Sequence, residues 1–184
     1  MNPDHVKLVL YADLISQPAR AIVGFCKANG IRFEHKEVGL FRGGTKTPEF
    51  AKINPMKKVP AMQEIDERTG EVFNLAESHA ILRYLACSRG CADHWYPSNL
   101  RKRALVDQYL DQHHSVLRVG VSMSALALTM PRISGKPINL PYFNQCKATL
   151  HKALGDLEAR LSKNLYLCGD KKTIADLSAA CELD

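Results

Sequence analysis

A serine at the point where a strand hands over to a helix can do chemistry that a serine in mid-helix cannot. Ser16 holds such a position: Val6–Ala12 reads as a buried strand, and Ser16-Gln17-Pro18 opens a helix with proline in its tolerated first turn. There the hydroxyl either caps the helix or joins backbone donors that converge on one anion. Glu77-Ser78 begins a second helix, whose free amides and dipole can hold a carboxylate unless the serine is simply the cap. Val59-Pro60 suits a cis turn at a strand start, which leaves the valine backbone free to pair with a ligand's peptide backbone; the plain alternative is an ordinary strand entry. His113 and His114 are adjacent, and neighbours on a helix point about 100° apart, so they suit solvent or core positions better than a shared metal. The six cysteines (26, 87, 91, 146, 168, 181) form no CxxC pair and read as reduced thiols and core fillers. Cys87, Cys91 and His94 lack a fourth ligand for zinc.

The elements that must position these residues alternate in the first half of the chain. After the helix from Ser16, with Gly30 as its stop and Ile22, Phe25 and Cys26 on its inner face, Ile31–Val38 returns as a strand. A strand–helix–strand unit of this length implies a parallel pair with a right-handed crossover. A loop with Gly43-Gly44 leads to a short helix from Thr47-Pro48 to Asn54-Pro55. Val59–Glu64 and Glu71–Leu75 then make a hairpin. The helix from Ser78 buries Ile81, Leu82 and Leu85 and ends by Gly90. This order matches a thioredoxin-like domain over residues 1–90. Residues 91–99 read as a linker and 100–184 as all-helical. Within the latter, Leu100–Met130 forms one long helix kinked near Gly120, Met130–Pro141 a loop, Tyr142–Asn164 an amphipathic helix, and Thr173-Ile174-Ala175-Asp176 a capping box for a last one.

Composition excludes several classes. The chain of 184 residues is 46% hydrophobic and 24% charged, ordinary for a soluble protein. Val119–Met130 is too short for a span of about 20 residues, and Met1–Lys7 lacks the apolar segment of a signal peptide, so a soluble cytoplasmic protein without a membrane partner is expected. The net charge of +6 suits anions, yet no run of five basic residues and no nucleic-acid motif occurs, so no nucleic-acid partner is expected.

Four segments in order carry a resemblance to one family: LYADLISQPAR (10–20), INPMKKVPA (53–61), NLAESHAILRYL (74–85) and TIADLSAACEL (173–183). ADHWYPSNLRKRALVDQYLDQHH (92–114) adds a similar linker and first helix of the second domain. Together they resemble the glutathione transferases, the theta class most nearly. The resemblance implies an α/β thioredoxin-like N-terminal domain with a mixed sheet, followed by an all-α C-terminal domain. It also implies that the chain stops before the family's last helices, which leaves the helical domain less stable than the first.

The implied activity is conjugation of glutathione thiolate to small hydrophobic electrophiles, or reduction of organic hydroperoxides. Glutathione acts as co-substrate, no cofactor or metal is needed, and a homodimer is typical. Ser16 matches the serine that donates a hydrogen bond to the glutathione sulfur. A thiol of pKa about 8.5 is mostly protonated at neutral pH, and lowering it by about two units takes roughly 2.7 kcal/mol. One charge-assisted hydrogen bond supplies about 1.5–3 kcal/mol, so a hydroxyl helped by helix-start amides suffices. The resemblance gives Val59 and Pro60 to the peptide backbone, Glu77 and Ser78 to the γ-glutamyl end, and Lys58 to the glycyl carboxylate. Gly44 and Thr45 stand where relatives carry His or Gln, and the Thr45 hydroxyl is the remaining donor there. Tyr11 reads as packing beside the site, Arg118 matches an arginine near the electrophile pocket, and Arg20 and Lys57 are read as solvated. The alternative is a non-catalytic binding or assembly module of the same fold.

Overall fold

The computed structural model describes residues 5–184; the first four residues of the Met1–Lys7 stretch lie outside that range. The chain forms two units, one ending at Trp95 and the other covering Tyr96–Asp184.

The first unit runs β1 (Val6–Ala12), α1 (Gln17–Ala28), β2 (Glu34–Glu37), α2 (Pro48–Ile53), β3 (Ala61–Asp66), β4 (Val72–Ala76) and α3 (Ser78–Ser88). The sheet order is β2-β1-β3-β4, with β1 parallel to β2 and the other pairs antiparallel. The α1 crossover accounts for the parallel pair. Leu8–Ala12 are all buried, as expected of a strand covered on both faces. Ile22 and Phe25 of α1 and Ile81, Leu82 and Leu85 of α3 are buried, and Phe25 meets Trp95 edge-on at 5.3 Å. A separate cluster of Val9, Tyr11, Val38, Phe50 and Ala61 includes α2's buried phenylalanine.

β2 is shorter than the sequence predicts. The Ile31 N–H is taken by Cys26 O at 2.9 Å as the chain leaves α1 through Gly30 at φ +64, so Ile31 closes the helix and does not open the strand.

The second unit contains α4 (Leu100–Ser115), α5 (Leu117–Ser134), α6 (Leu140–Leu161) and α7 (Ile174–Leu183). The predicted single long helix is two helices, broken at Val116 (φ −116, ψ −78) and not at Gly120. Gly120 serves packing: a Cβ there would stand 2.9 Å from the Leu150 Cα of α6. The expected loop from Met130 also starts later, because α5 continues through Pro131 to Ser134 and stops at Gly135, whose φ of +66 suits only glycine well. By length and composition alone Leu100–Ser134 would be long and apolar enough to cross a membrane. That exceeds the Val119–Met130 run read from the sequence, although the break at Val116 interrupts the stretch. The Thr173/Asp176 capping box caps the N-terminus of α7, and Asp176 Oδ1 also accepts from Leu167 N at 2.8 Å.

Candidate active site

Register brings the candidate residues of the first unit to one end of the sheet. Tyr11 pairs with Ala61, and Ala61 with Ala76, so these three form one row across β1, β3 and β4. The chain continues past this row to Ser16 from β1 and to Glu77-Ser78 from β4, and it reaches β3 through Val59-Pro60. β1 is where the order reverses, between a parallel and an antiparallel neighbour. The crevice outside strand ends at such a point is where open α/β sheets bind ligands.

Ser16 is 7% exposed and sits at the N-cap of α1, yet its side chain makes no capping hydrogen bond. Its N–H donates to Asp13 O at 2.9 Å and its C=O accepts from Arg20 N at 3.0 Å, so the backbone is fixed while the hydroxyl is unspent on the helix. Asp13 organises the loop. Its Oδ1 accepts from Ile15 N and its Oδ2 from Leu40 N, both at 3.0 Å, tying the β1–α1 loop to the chain after β2. The Leu40 and Ile15 N–H donors hold the Asp13 carboxyl below the usual carboxylate range. Arg20, read from the sequence as solvated, instead donates from Nη1 to Leu14 O (3.1 Å) and Ile15 O (3.3 Å). A guanidinium one turn into the helix reaches back over the loop before it.

The Val59-Pro60 peptide is cis. Among the described residues the Val59 N–H and C=O make no backbone hydrogen bond, the condition for pairing with an extended peptide. Buried Asn54 shapes the approach to this turn. Its Nδ2 donates to Lys58 O at 2.7 Å, its Oδ1 accepts from Met56 N at 3.0 Å, and its carbonyl accepts from Lys57 N at 2.9 Å. Lys58 is exposed at the turn, and Lys57 has φ +55.

Glu77 has φ +67 and ψ +113, a conformation that costs a non-glycine residue about 1–3 kcal/mol and is found mostly at functional sites. It stands at the N-cap of α3 without a side-chain cap bond, and Ser78 behind it is buried. The first-turn amides of α3 therefore open at the same sheet end as Ser16.

The remaining candidates have contacts of their own. Tyr11 packs at 6.2 Å from Phe50 and donates its hydroxyl to Gln63 Oε1 at 3.3 Å. Thr45 is buried in a short turn that follows Gly44, where a Cβ would meet Gly39 N at 3.0 Å. Arg118 belongs to the helical unit and donates from Nη1 to Glu182 Oε2 at 2.8 Å; His113 Nε2 lies 3.5 Å from the same oxygen. Burial pushes the Glu182 carboxyl up, but the His113 hydrogen bond and the Arg118 charge more than offset this and leave it below its usual range. Among the described residues no group of three or more His, Cys, Asp or Glu converges as a metal site. Burial raises the Cys26 thiol to about 12, which suits a core filler and not a nucleophile. Asp13 and Asn54, which sequence reasoning missed, carried only weak signals: an acid after a strand, and an Asn-Pro at a helix end.

Residues 7–87 match the family model for the glutathione S-transferase N-terminal domain, and residues 122–184 match that for the C-terminal domain. The chain belongs to the glutathione S-transferase family. It is 41% identical over 182 residues to glutathione S-transferase T1 of Arabidopsis thaliana, covering 97% of this chain and 72% of that one. It is 39% identical over 178 residues to human glutathione S-transferase theta-1, covering 96% and 72%. A structure of human glutathione transferase theta-2 in complex with glutathione and an unknown ligand superimposes with a TM-score of 0.88 at 36% identity, over 96% of this chain and 70% of that one. The mixed sheet with its flanking helices and the helical second unit are the glutathione S-transferase fold, and the relatives are of the theta class.

Proposed function

We propose that this glutathione S-transferase activates the thiol of glutathione and transfers it to small apolar electrophiles. The observation that carries the reading is the Ser16 hydroxyl, buried at the start of α1 and not used as a cap, at the sheet end shared with unpaired Val59 and strained Glu77. The hydroxyl donates to the sulfur, the thiol proton leaves to solvent, and the thiolate forms a bond to the electrophilic carbon as the leaving group departs with its electron pair. With a hydroperoxide the balance is two glutathiones and ROOH giving the disulfide, ROH and water.

Val59 pairs with the peptide backbone and Pro60 fixes its turn. Glu77 and Ser78 take the γ-glutamyl end, Lys58 the glycyl carboxylate, and Thr45 donates nearby. The nucleophile arrives with the co-substrate, so the reaction requires no resident cofactor. A cytoplasmic homodimer fits the same reading.

Calorimetry of glutathione binding to the full chain and to Ser16→Ala tests it. Binding with proton release near neutral pH, the release lost in the variant, supports a thiolate site. Absence of binding by a folded first unit turns the reading to a non-catalytic module.

A further inference from the structure

Two consecutive peptide groups lead into Ser16, and each is held at both of its edges. In the peptide joining Leu14 to Ile15, the carbonyl accepts from Arg20 Nη1 at 3.1 Å and the N–H donates to Asp13 Oδ1 at 3.0 Å. In the peptide joining Ile15 to Ser16, the carbonyl accepts from the same Nη1 at 3.3 Å and the N–H donates to Asp13 O at 2.9 Å. Asp13 thus takes both donors and Arg20 both acceptors. A peptide group is planar, so fixing its N–H and its C=O fixes the orientation of the whole plane. Two such planes in succession leave the chain little freedom ahead of the Ser16 Cα.

The Ser16 hydroxyl depends on that backbone. Its side chain makes no capping bond to α1, so the direction of the Cα–Cβ bond decides where the oxygen stands. The helix supplies only one constraint of its own: Ser16 C=O accepts from Arg20 N at 3.0 Å, a bond that any residue but proline would make. The guanidinium adds two more. It also answers two carbonyl oxygens beside Ser16 whose negative ends would otherwise disfavour an anion there.

Other charges act on the same loop. Asp13 accepts from Leu40 N with its second carboxylate oxygen at 3.0 Å, and Arg42 after β2 and His35 on β2 help to lower its carboxyl. Glu77 opens α3 at the same sheet end. All of these groups remain when Arg20 is replaced, so a change in the site's titration reads the guanidinium itself.

We propose that Arg20 is a positioning residue for the glutathione chemistry: it clamps the two carbonyls ahead of Ser16 and so aims the serine hydroxyl at the sulfur. The inference rests on the transferase reading of Ser16. Arg20 acts through Ser16 and not by contact with the co-substrate.

The test titrates glutathione bound to the 184-residue chain, following the ultraviolet absorbance of the thiolate against pH, and needs no electrophile. The wild type should form thiolate with a midpoint below the ordinary thiol value of about 8.5. Arg20→Met should raise that midpoint by about one unit, a tenfold loss of thiolate at pH values below both midpoints. Affinity measured in that same range, where the thiol itself binds, should be unchanged. Arg20→Lys keeps the charge and donors without the rigid guanidinium, and should recover part of the shift. In a Ser16→Ala background, Arg20→Met should add little, because the group it positions is gone.

Circular dichroism establishes that each variant is folded. An unmoved midpoint in folded Arg20→Met overturns the proposal and leaves Arg20 a role in stability alone. An equal shift with and without the Ser16 hydroxyl also overturns it, because the charge then acts on the sulfur independently of Ser16. If Arg20→Met does not fold, Arg20→Lys decides, and a wild-type midpoint in that variant overturns the proposal. A wild type that binds no glutathione, or binds it without lowering the thiol midpoint, overturns the transferase reading and this inference together. A lowered wild-type midpoint that Arg20→Met leaves in place overturns this inference alone.

Discussion

Ser16 and Asp13 divide the work at the start of α1 between chemistry and geometry. Removing the Ser16 hydroxyl deletes one charge-assisted bond to the sulfur, worth about 1.5–3 kcal/mol. Ser16→Ala should therefore slow conjugation at neutral pH by roughly 10- to 150-fold, with the bound thiol titrating near its ordinary value of about 8.5. A rate–pH profile for the variant checks this, and an unchanged profile would move the role to the helix amides. Asp13 sets where Ser16 stands. Its folded pKa is depressed, so its contribution to stability is present above its unfolded value of about 3.9 and is lost as pH falls through the folded one. Asp13→Asn should cost about 1–2 kcal/mol at pH 7, and the gap from the wild type should shrink below about pH 4. Urea unfolding at the two pH values measures it. Ser16 and Glu77 were legible because each stands where a strand hands over to a helix within a segment that resembles the family; by position alone each start reads equally well as an ordinary cap. Glu64 was not: it is 2% exposed inside β3, bonded to Tyr84 Oη at 2.6 Å and paired with Arg89, and a carboxylate in a strand reads as an outward position.

At the scale of elements, apolar patterning located the strands and most helices, but α4 and α5 read as one and the residues at the joints were ambiguous. Gly120 shows the reason. A glycine inside an apolar helical run reads as a kink, whereas here it is the contact that lets α5 approach α6. The break falls at Val116, which no propensity marks. Gly120→Ala sets two effects against each other. Helix propensity favours alanine by about 1 kcal/mol. The new Cβ, however, meets the Leu150 Cα at 2.9 Å, and backbone yields only by moving a helix, at about 1–3 kcal/mol. The clash should win, lowering the denaturation midpoint of the helical unit. A raised midpoint would show that α5 and α6 stand further apart than this contact requires.

The molecule as a whole places its core unequally. Among the described residues, nine of the twelve largest fully buried side chains lie in the unit ending at Trp95, among them Phe25, Met62, Ile81 and Leu85, and three, Val106, Leu110 and Ile174, lie in the helical unit. The helical unit also exposes Val119, Met123, Leu126, Met130 and Ile133 on α5. Burial is the main stabilising contribution, so the helical unit should unfold first on heating or in denaturant. Glutathione separates the two events. A ligand held by Ser16, Val59 and Glu77 stabilises the unit that contains them by about 2.7 kcal/mol at a hundredfold excess over its Kd. Unfolding followed by Trp95, the one tryptophan and a member of the first unit, should shift upward with glutathione. The loss of helical signal should keep its early phase unmoved. If both probes shift together by the same amount, the units share one cooperative transition and the inequality of their cores does not govern unfolding.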